Sequence, residues 1–162
     1  MLLTAVSAWQ IAVAVHVVCV VAAFSFLVAY PLIVIRTDRR NRRALPQLFR
    51  QRKLLSRALV NPGLLLVVIA GVYLAFDHHL WGQFFVWWGV FAALVIGGLE
   101  GSVVIPQAAQ LAALAQRDVD LAAGADITWS ADYRTLRRRA DVVNIAMAVL
   151  VIATVVIMST AH

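Results

Sequence analysis

The sequence contains few charged residues. Asp, Glu, Lys and Arg make up 14% of its 162 residues, and 63% are hydrophobic. A typical soluble domain has about 25% charged and roughly 45–50% apolar residues. A single small domain could not bury this much apolar surface in its own core, so lipid must surround much of it. The composition therefore excludes an ordinary soluble domain and indicates an integral membrane protein.

Other features of several enzyme classes are also absent from the sequence. The one cysteine, Cys19, excludes a disulfide within the chain. The sequence shows no nucleophile arranged with a base, no glycine loop for phosphate, and too few acids for a metal-hydrolase site. The glycines of "GGLEG" are better explained by helix packing than by nucleotide binding. Hydrolytic chemistry is not indicated, and any enzymatic activity stays open.

The hydrophobic residues are concentrated in four long runs, at about 9–35, 59–76, 84–105 and 142–159. Each run is long enough for a hydrocarbon core about 30 Å thick, which needs about 20 helical residues. Continuously apolar runs of this length are typical of helices, because lipid cannot satisfy backbone polar groups. We predict an all-α, polytopic membrane protein with a four-transmembrane-helix bundle, forming one domain over residues 1–162.

Two short motifs predict where helices begin. Asn61-Pro62-Gly63 is expected to begin the second helix, since Asn can cap a helix and Pro is tolerated in its first turn. Ser130 or Thr128 is expected to cap the fourth helix.

The positive charges lie in only two segments. All 14 Lys and Arg residues fall in segments 36–58 and 106–141, nine in the first and five in the second. The positive-inside rule makes these two segments cytoplasmic loops and places the N-terminus and C-terminus outside. We therefore expect a multi-pass protein of the cell (inner or cytoplasmic) membrane. Attraction to membrane lipids, rather than to nucleic acid, explains the net charge of +6.

An acidic residue stands near the end of the third run, in "IGGLEGSVVIP". Counting 100° per residue, Gly89, Ala93, Gly97 and Glu100 share one stripe, which should face another helix. A polar cluster is expected around Glu100; its other members at similar depth are Tyr30, Asn61 and Asn144, with Arg57 and Arg139 just below. The cluster is either a structural clasp between helices or the proton or cation site of a small transporter or channel.

The histidines suggest a second site. His16 and Cys19 share a face of the first helix with Tyr30, while His78 and His79 should lie at the outer mouth of the bundle. Imidazole and thiol groups on an inward face could ligate haem or copper. A lone histidine inside a bundle is more often hydrogen-bonded to a neighbouring helix.

Three stretches resemble the HemJ-type protoporphyrinogen oxidases. "HVVCVVAAFSFLVAYP", residues 16–31, is similar to their first helix, in which a His precedes a Pro at the same separation. "RKLLSRALVNPGLLLVVIAG", residues 52–71, resembles their second helix, and "RRRADVVN", residues 137–144, the start of their fourth. The whole chain also resembles uncharacterised four-helix bacterial membrane proteins loosely grouped with the copper-resistance D proteins.

The HemJ resemblance implies that His16 is an axial contact to haem b or a porphyrin, with Asn144 near that site. The chain departs from the family pattern, since "WWGVFAALV" lacks the family's Lys and Ile145 rather than an acid follows Asn144. The first expectation is thus a haem- or metal-binding redox protein. A small proton or cation transporter and a non-catalytic membrane subunit are the alternatives. With four helices per chain, a pore or cofactor pocket could require a homodimer or other homo-oligomer.

Overall fold

The computed structural model describes residues 7–77 and 79–160. Over these residues the chain is helical, with short turns between helices and no strand. The six α-helices are α1 (Ala8–Arg40), α2 (Leu45–Leu55), α3 (Asn61–Asp77), α4 (Phe84–Leu99), α5 (Ile105–Leu121) and α6 (Ala131–Thr160).

Two of the junctions between helices are continuous. The segment Ser56–Val60 joins α2 to α3, and Glu100–Val104 joins α4 to α5, each as a wide turn of π type. The backbone N–H of Asn61 donates to the carbonyl oxygen of Ser56, five residues back, and Ile105 donates in the same way to Glu100. The chain therefore folds into four long helices: α1, α2–α3, α4–α5 and α6.

A proline follows each wide turn at the same position. Pro62 is the second residue after Ser56–Val60, and Pro106 is the second residue after Glu100–Val104. Proline has no N–H to donate and its ring collides with the preceding turn, which disturbs the regular α-helical ladder. The widened hydrogen-bond pattern, known to occur at such irregularities, lets the helix continue through the proline.

The four long helices confirm the predicted all-α, four-helix membrane bundle. They contain 33, 36, 38 and 30 residues and are apolar enough to cross a membrane. Large apolar side chains cover their outer surface; Leu32 and Leu94 are 65% and 69% exposed. At 1.5 Å per residue, 36 residues extend about 54 Å, well beyond a hydrocarbon core of about 30 Å. The helices must therefore project from the membrane.

The projecting parts lie in the two segments predicted to be basic loops. The prediction was wrong for segment 36–58, whereas in segment 106–141 a helical turn or two after Pro106 and the first turns of the fourth helix had been expected. In segment 36–58, α1 continues to Arg40 and α2 follows after one short turn; in segment 106–141, α5 and the start of α6 are helical. These parts pack together around Phe49, Leu111, Ala115 and Tyr133. Most of their charges lie on exposed faces, with Arg52 and Asp118 as buried exceptions, so a high charge content did not prevent helix formation.

α3 begins at Asn61, as predicted, but as a junction within a longer helix rather than as a capped helix end. Asn61 lies inside a continuous helix with helical backbone angles and an exposed side chain. The neighbouring Gly63 instead serves packing, because a Cβ added there would lie 3.3 Å from the Cβ of Ala23 on α1. In the lipid-embedded half, Leu27, Ile96 and Met147 complete a second apolar core.

Candidate functional site

A cavity of about 480 Å³ opens in the half of the bundle that carries the α3–α4 turn. Helices α1, α3, α4 and α6 contribute to its wall, together with the turn. Its lining is almost entirely aliphatic and aromatic, and comprises Trp9, Val13, His16, Val67, Val68, Gly71, Val72, Leu74, Ala75, Leu80, Phe85, Val86, Gly89, Val90, Ala93 and Met158. A volume of roughly 300–1,000 Å³ with apolar walls is typical of small-molecule sites.

His16 supplies the imidazole of this cavity. Its ring is half-buried, and its Nδ1 lies 3.0 Å from the backbone carbonyl oxygen of Val67 on α3. A carbonyl oxygen only accepts hydrogen bonds, so Nδ1 must carry the hydrogen. In the neutral ring Nε2 then keeps its lone pair. Metal-ligating histidines commonly have this arrangement, in which a backbone carbonyl fixes the ring and its tautomer.

Two glycines leave room for side chains at this cavity. A Cβ added at Gly71 on α3 would lie 3.3 Å from Cε1 of His16. A Cβ added at Gly89 on α4 would overlap the terminal methyl group of Met158 on α6. Each glycine therefore leaves space for one side chain of a neighbouring helix, and both of these side chains line the same cavity.

The other predicted ligands are not brought to His16. Cys19 is half-buried on α1 and is not among the residues that line the cavity. His79 is exposed in the α3–α4 turn with a left-handed backbone (φ 54°), and His78 lies outside the described residues. Within 7–77 and 79–160 no group of three or more His, Cys, Asp or Glu side chains is placed to hold a metal ion.

The acid identified in the sequence lies at the opposite half of the bundle, in a buried ion pair. Glu100 is 0% exposed, and its Oε1 accepts a hydrogen bond from Nη2 of Arg52, which is 1% exposed. The Arg52 guanidinium also lies over the rings of Phe26 and Tyr30, 4.9 Å and 4.4 Å from their centroids. Ser56 is fully buried beside the pair. The pair joins α2 to the α4–α5 junction.

The partner of Glu100 therefore differs from those predicted. Arg57, Arg139 and Asn61 are exposed, and Asn144 donates to the Ala140 carbonyl oxygen of its own helix. Tyr30 does belong to the cluster, through its contact with Arg52.

Arg52 was missed because segment 36–58 was interpreted as a loop. The sequence contains a usable indication: Leu45, Phe49, Arg52, Ser56 and Val60 recur at intervals of three or four residues, and all five are buried. This is the period of one helix face, and it places an arginine on the apolar stripe.

A second, much smaller cavity of about 20 Å³ lies between Arg52 and Arg137. Tyr30, Gln107 and Asn144 also line it. In the described part of the chain, the Tyr30 hydroxyl and Nε of Arg52 are buried without a protein hydrogen-bond partner. A space of this size holds about one water molecule, which would satisfy such groups.

These features define a small multi-pass membrane protein whose bundle has an apolar cavity in one half and a neutralised ion pair in the other. Comparison of the chain with protein-family models, curated proteins and solved structures finds no match.

Proposed function

We propose that this protein binds haem b, or a closely related metalloporphyrin, in the 480 Å³ cavity and acts as a membrane redox protein. The observation that carries the proposal is His16. Its Nδ1 is occupied by the Val67 carbonyl oxygen, which leaves Nε2 as the ligating atom of a ring that lines the cavity.

The cavity fits such a group in size and chemistry. A porphyrin is a large, flat, mainly apolar ring, and the lining combines aliphatic and aromatic side chains with one imidazole. No charged side chain is found among the lining residues described. The carboxylates of a bound porphyrin would therefore have to remain at the aqueous boundary, outside the apolar walls.

The HemJ resemblance supports the same ligand, because it is based on the segment from His16 to Pro31. When bound, the iron would supply one-electron chemistry. The residues of this chain would bind the ring, orient it through His16 and exclude water. The absence of the family's Lys and of an acid after Asn144 is the reason that the proposal does not extend to protoporphyrinogen oxidation.

The alternative of proton or cation transport through Glu100 receives less support. The carboxylate is paired with Arg52, and both side chains are buried. The guanidinium favours the charged carboxylate and occupies one of its oxygens, so the acid is poorly placed for repeated proton uptake and release. We infer that Glu100 stabilises the contact between α2 and the α4–α5 junction.

The proposal is tested by absorption spectroscopy of the protein purified in detergent with haem supplied. We expect a Soret band for the parent protein and its loss in His16→Ala, with helical content unchanged by circular dichroism. His79→Ala is the matched control, since His79 is exposed in the turn, and it should retain the band. A colourless parent protein, or full haem binding by His16→Ala, would contradict the proposal.

A further inference from the structure

The side chain facing the cavity from α6 is Met158. Among the sixteen lining residues described, His16 and Met158 are the two whose side chains offer a lone pair suited to iron, on nitrogen and sulfur. The indole of Trp9 offers only an N–H donor. Met158 is thus the natural candidate for a second contact to any metal held by His16.

The two side chains approach from different parts of the bundle. His16 belongs to α1 and lies against Gly71 of α3; Met158 belongs to α6 and lies against Gly89 of α4. Gly71 precedes the end of α3 at Asp77 by six residues, and Gly89 follows Gln83, the residue before α4, by six residues. Since α3 and α4 are the two consecutive helices of a hairpin, Gly71 and Gly89 lie at matching depth in the membrane.

The glycine at position 89 leaves room for the end of the Met158 side chain. A Cβ at this position would overlap the Met158 methyl group, so the end of that side chain would have to move. Elsewhere on α6, Met147 is 1% exposed and packs in the second apolar core with Leu27 and Ile96. A methionine with a merely space-filling role is therefore already present for comparison.

We propose that Met158 is the second axial ligand of the haem bound through His16, giving the iron a nitrogen and a thioether ligand. This inference rests on the proposed function. A thioether is a soft, neutral ligand that favours reduced iron, and His/Met ligation raises the reduction potential. The site would then be an electron-transfer centre, because both axial positions are occupied by protein and none is left for a substrate.

The test uses the full chain in detergent, loaded with haem b, and compares Met158→Leu with the parent protein. The parent should show a six-coordinate, low-spin spectrum and little carbon monoxide binding in the ferrous state. Leucine matches the volume of methionine without its sulfur, so Met158→Leu should keep the haem, become high-spin, bind carbon monoxide and have a lower reduction potential. Met147→Leu should behave like the parent.

A second variant guards against misfolding of the first. Gly89→Ala leaves the sulfur in the chain but displaces the end of the Met158 side chain, so it should shift the spectrum toward that of Met158→Leu. If both variants bind haem and keep the parent spectrum and potential, the inference about Met158 is wrong while haem binding through His16 stands. If the parent protein binds Cu(I) but no haem, both proposals fail.

Discussion

A guanidinium and a carboxylate each lose several kcal/mol of hydration when they are buried, and Coulomb attraction compensates only when the two remain together. Arg52 and Glu100 meet this condition, since one hydrogen bond joins them directly and two aromatic rings lie against the guanidinium. Separating the two charges would therefore cost more free energy than the intact pair gains over an apolar pair of similar size.

This leads to a prediction for Glu100→Gln. The substitution keeps the shape of residue 100 but leaves the Arg52 guanidinium buried without its counter-charge, which typically costs about 3–5 kcal/mol. The free energy of unfolding, measured by denaturant titration in detergent, should fall by about this amount. The double variant Arg52→Met/Glu100→Gln should recover much of the loss, because no buried charge remains.

The matched control is Arg57→Met, five residues further along the same continuous helix. Arg57 is exposed, so its loss should change the unfolding free energy by no more than about 0.5 kcal/mol. Equal stability of Glu100→Gln and the parent protein would show that the pair is not buried as described.

At this scale the sequence revealed the unusual residues but not their contacts. Glu100 and His16 stand out because an acid and an imidazole are rare within apolar runs. Their neighbours depend on helix rotation and on the arrangement of helices in the bundle, which one sequence does not specify. Met158 was expected only near the outer end of the fourth helix, Val67 was not predicted beside His16, and Arg52 was not distinguished from the nine basic residues of one segment.

At the scale of single helices, the connection between α5 and α6 is held by one aspartate. Asp118 is buried near the end of α5, and its Oδ2 accepts a hydrogen bond of 2.8 Å from the backbone N–H of Ser130. The Ser130 hydroxyl in turn accepts from the backbone N–H of Tyr133, so it caps α6, one of the two caps predicted from sequence. Asp118 therefore holds Ser130 in position, and the Ser130 cap determines where α6 begins.

We predict that Asp118→Ala loosens this connection. Loss of the hydrogen bond to Ser130 leaves a backbone N–H without its partner, and lost capping interactions cost about 0.5–2 kcal/mol. Hydrogen–deuterium exchange should become faster in residues 119–133 and remain unchanged in α3. Asp126→Ala is the control, because Asp126 is exposed in the same connection. Equal exchange in the two variants would refute the role of Asp118.

The helices themselves were predictable to different degrees. The four apolar runs were correct because lipid-exposed helices require uninterrupted hydrophobic residues, whatever their neighbours. The extension α2 was missed and α5 was expected only as a helical turn or two, because their stability comes from packing on each other, through residues such as Phe49 and Leu111. The amphipathic period of α2 was present in the sequence, but its basic residues suggested a loop.

For the whole molecule, the orientation in the membrane follows from charge. Four crossings return the chain to the side on which it began, and all 14 basic residues belong to the two connecting segments on the other side. The positive-inside rule predicts that this side is the cytoplasm. On this prediction, the layer formed by α2, α5 and the start of α6 would project into the cytoplasm.

Cysteine accessibility tests this prediction in a Cys19→Ala background. Single cysteines at the exposed positions Gln47 and Ala125 should react with a membrane-impermeant maleimide only after the membrane is opened. A cysteine at the exposed position Gln83, in the turn between α3 and α4, should react in intact cells. Labelling of Gln47→Cys or Ala125→Cys in intact cells would mean that the orientation is reversed or mixed.

The two wide turns also determine how the projecting layer is attached. One additional residue in a helical turn rotates all the residues that follow by about 100° around the helix axis, relative to a regular α-helix. As a result, α3 packs against α1 inside the lipid, whereas α2, which belongs to the same long helix, packs against α5 in water. Removing one residue from Ser56–Val60 would cancel this rotation, so Arg52 would no longer face Glu100. The Arg52–Glu100 ion pair therefore depends on the number of residues in Ser56–Val60 as much as on its own two charges.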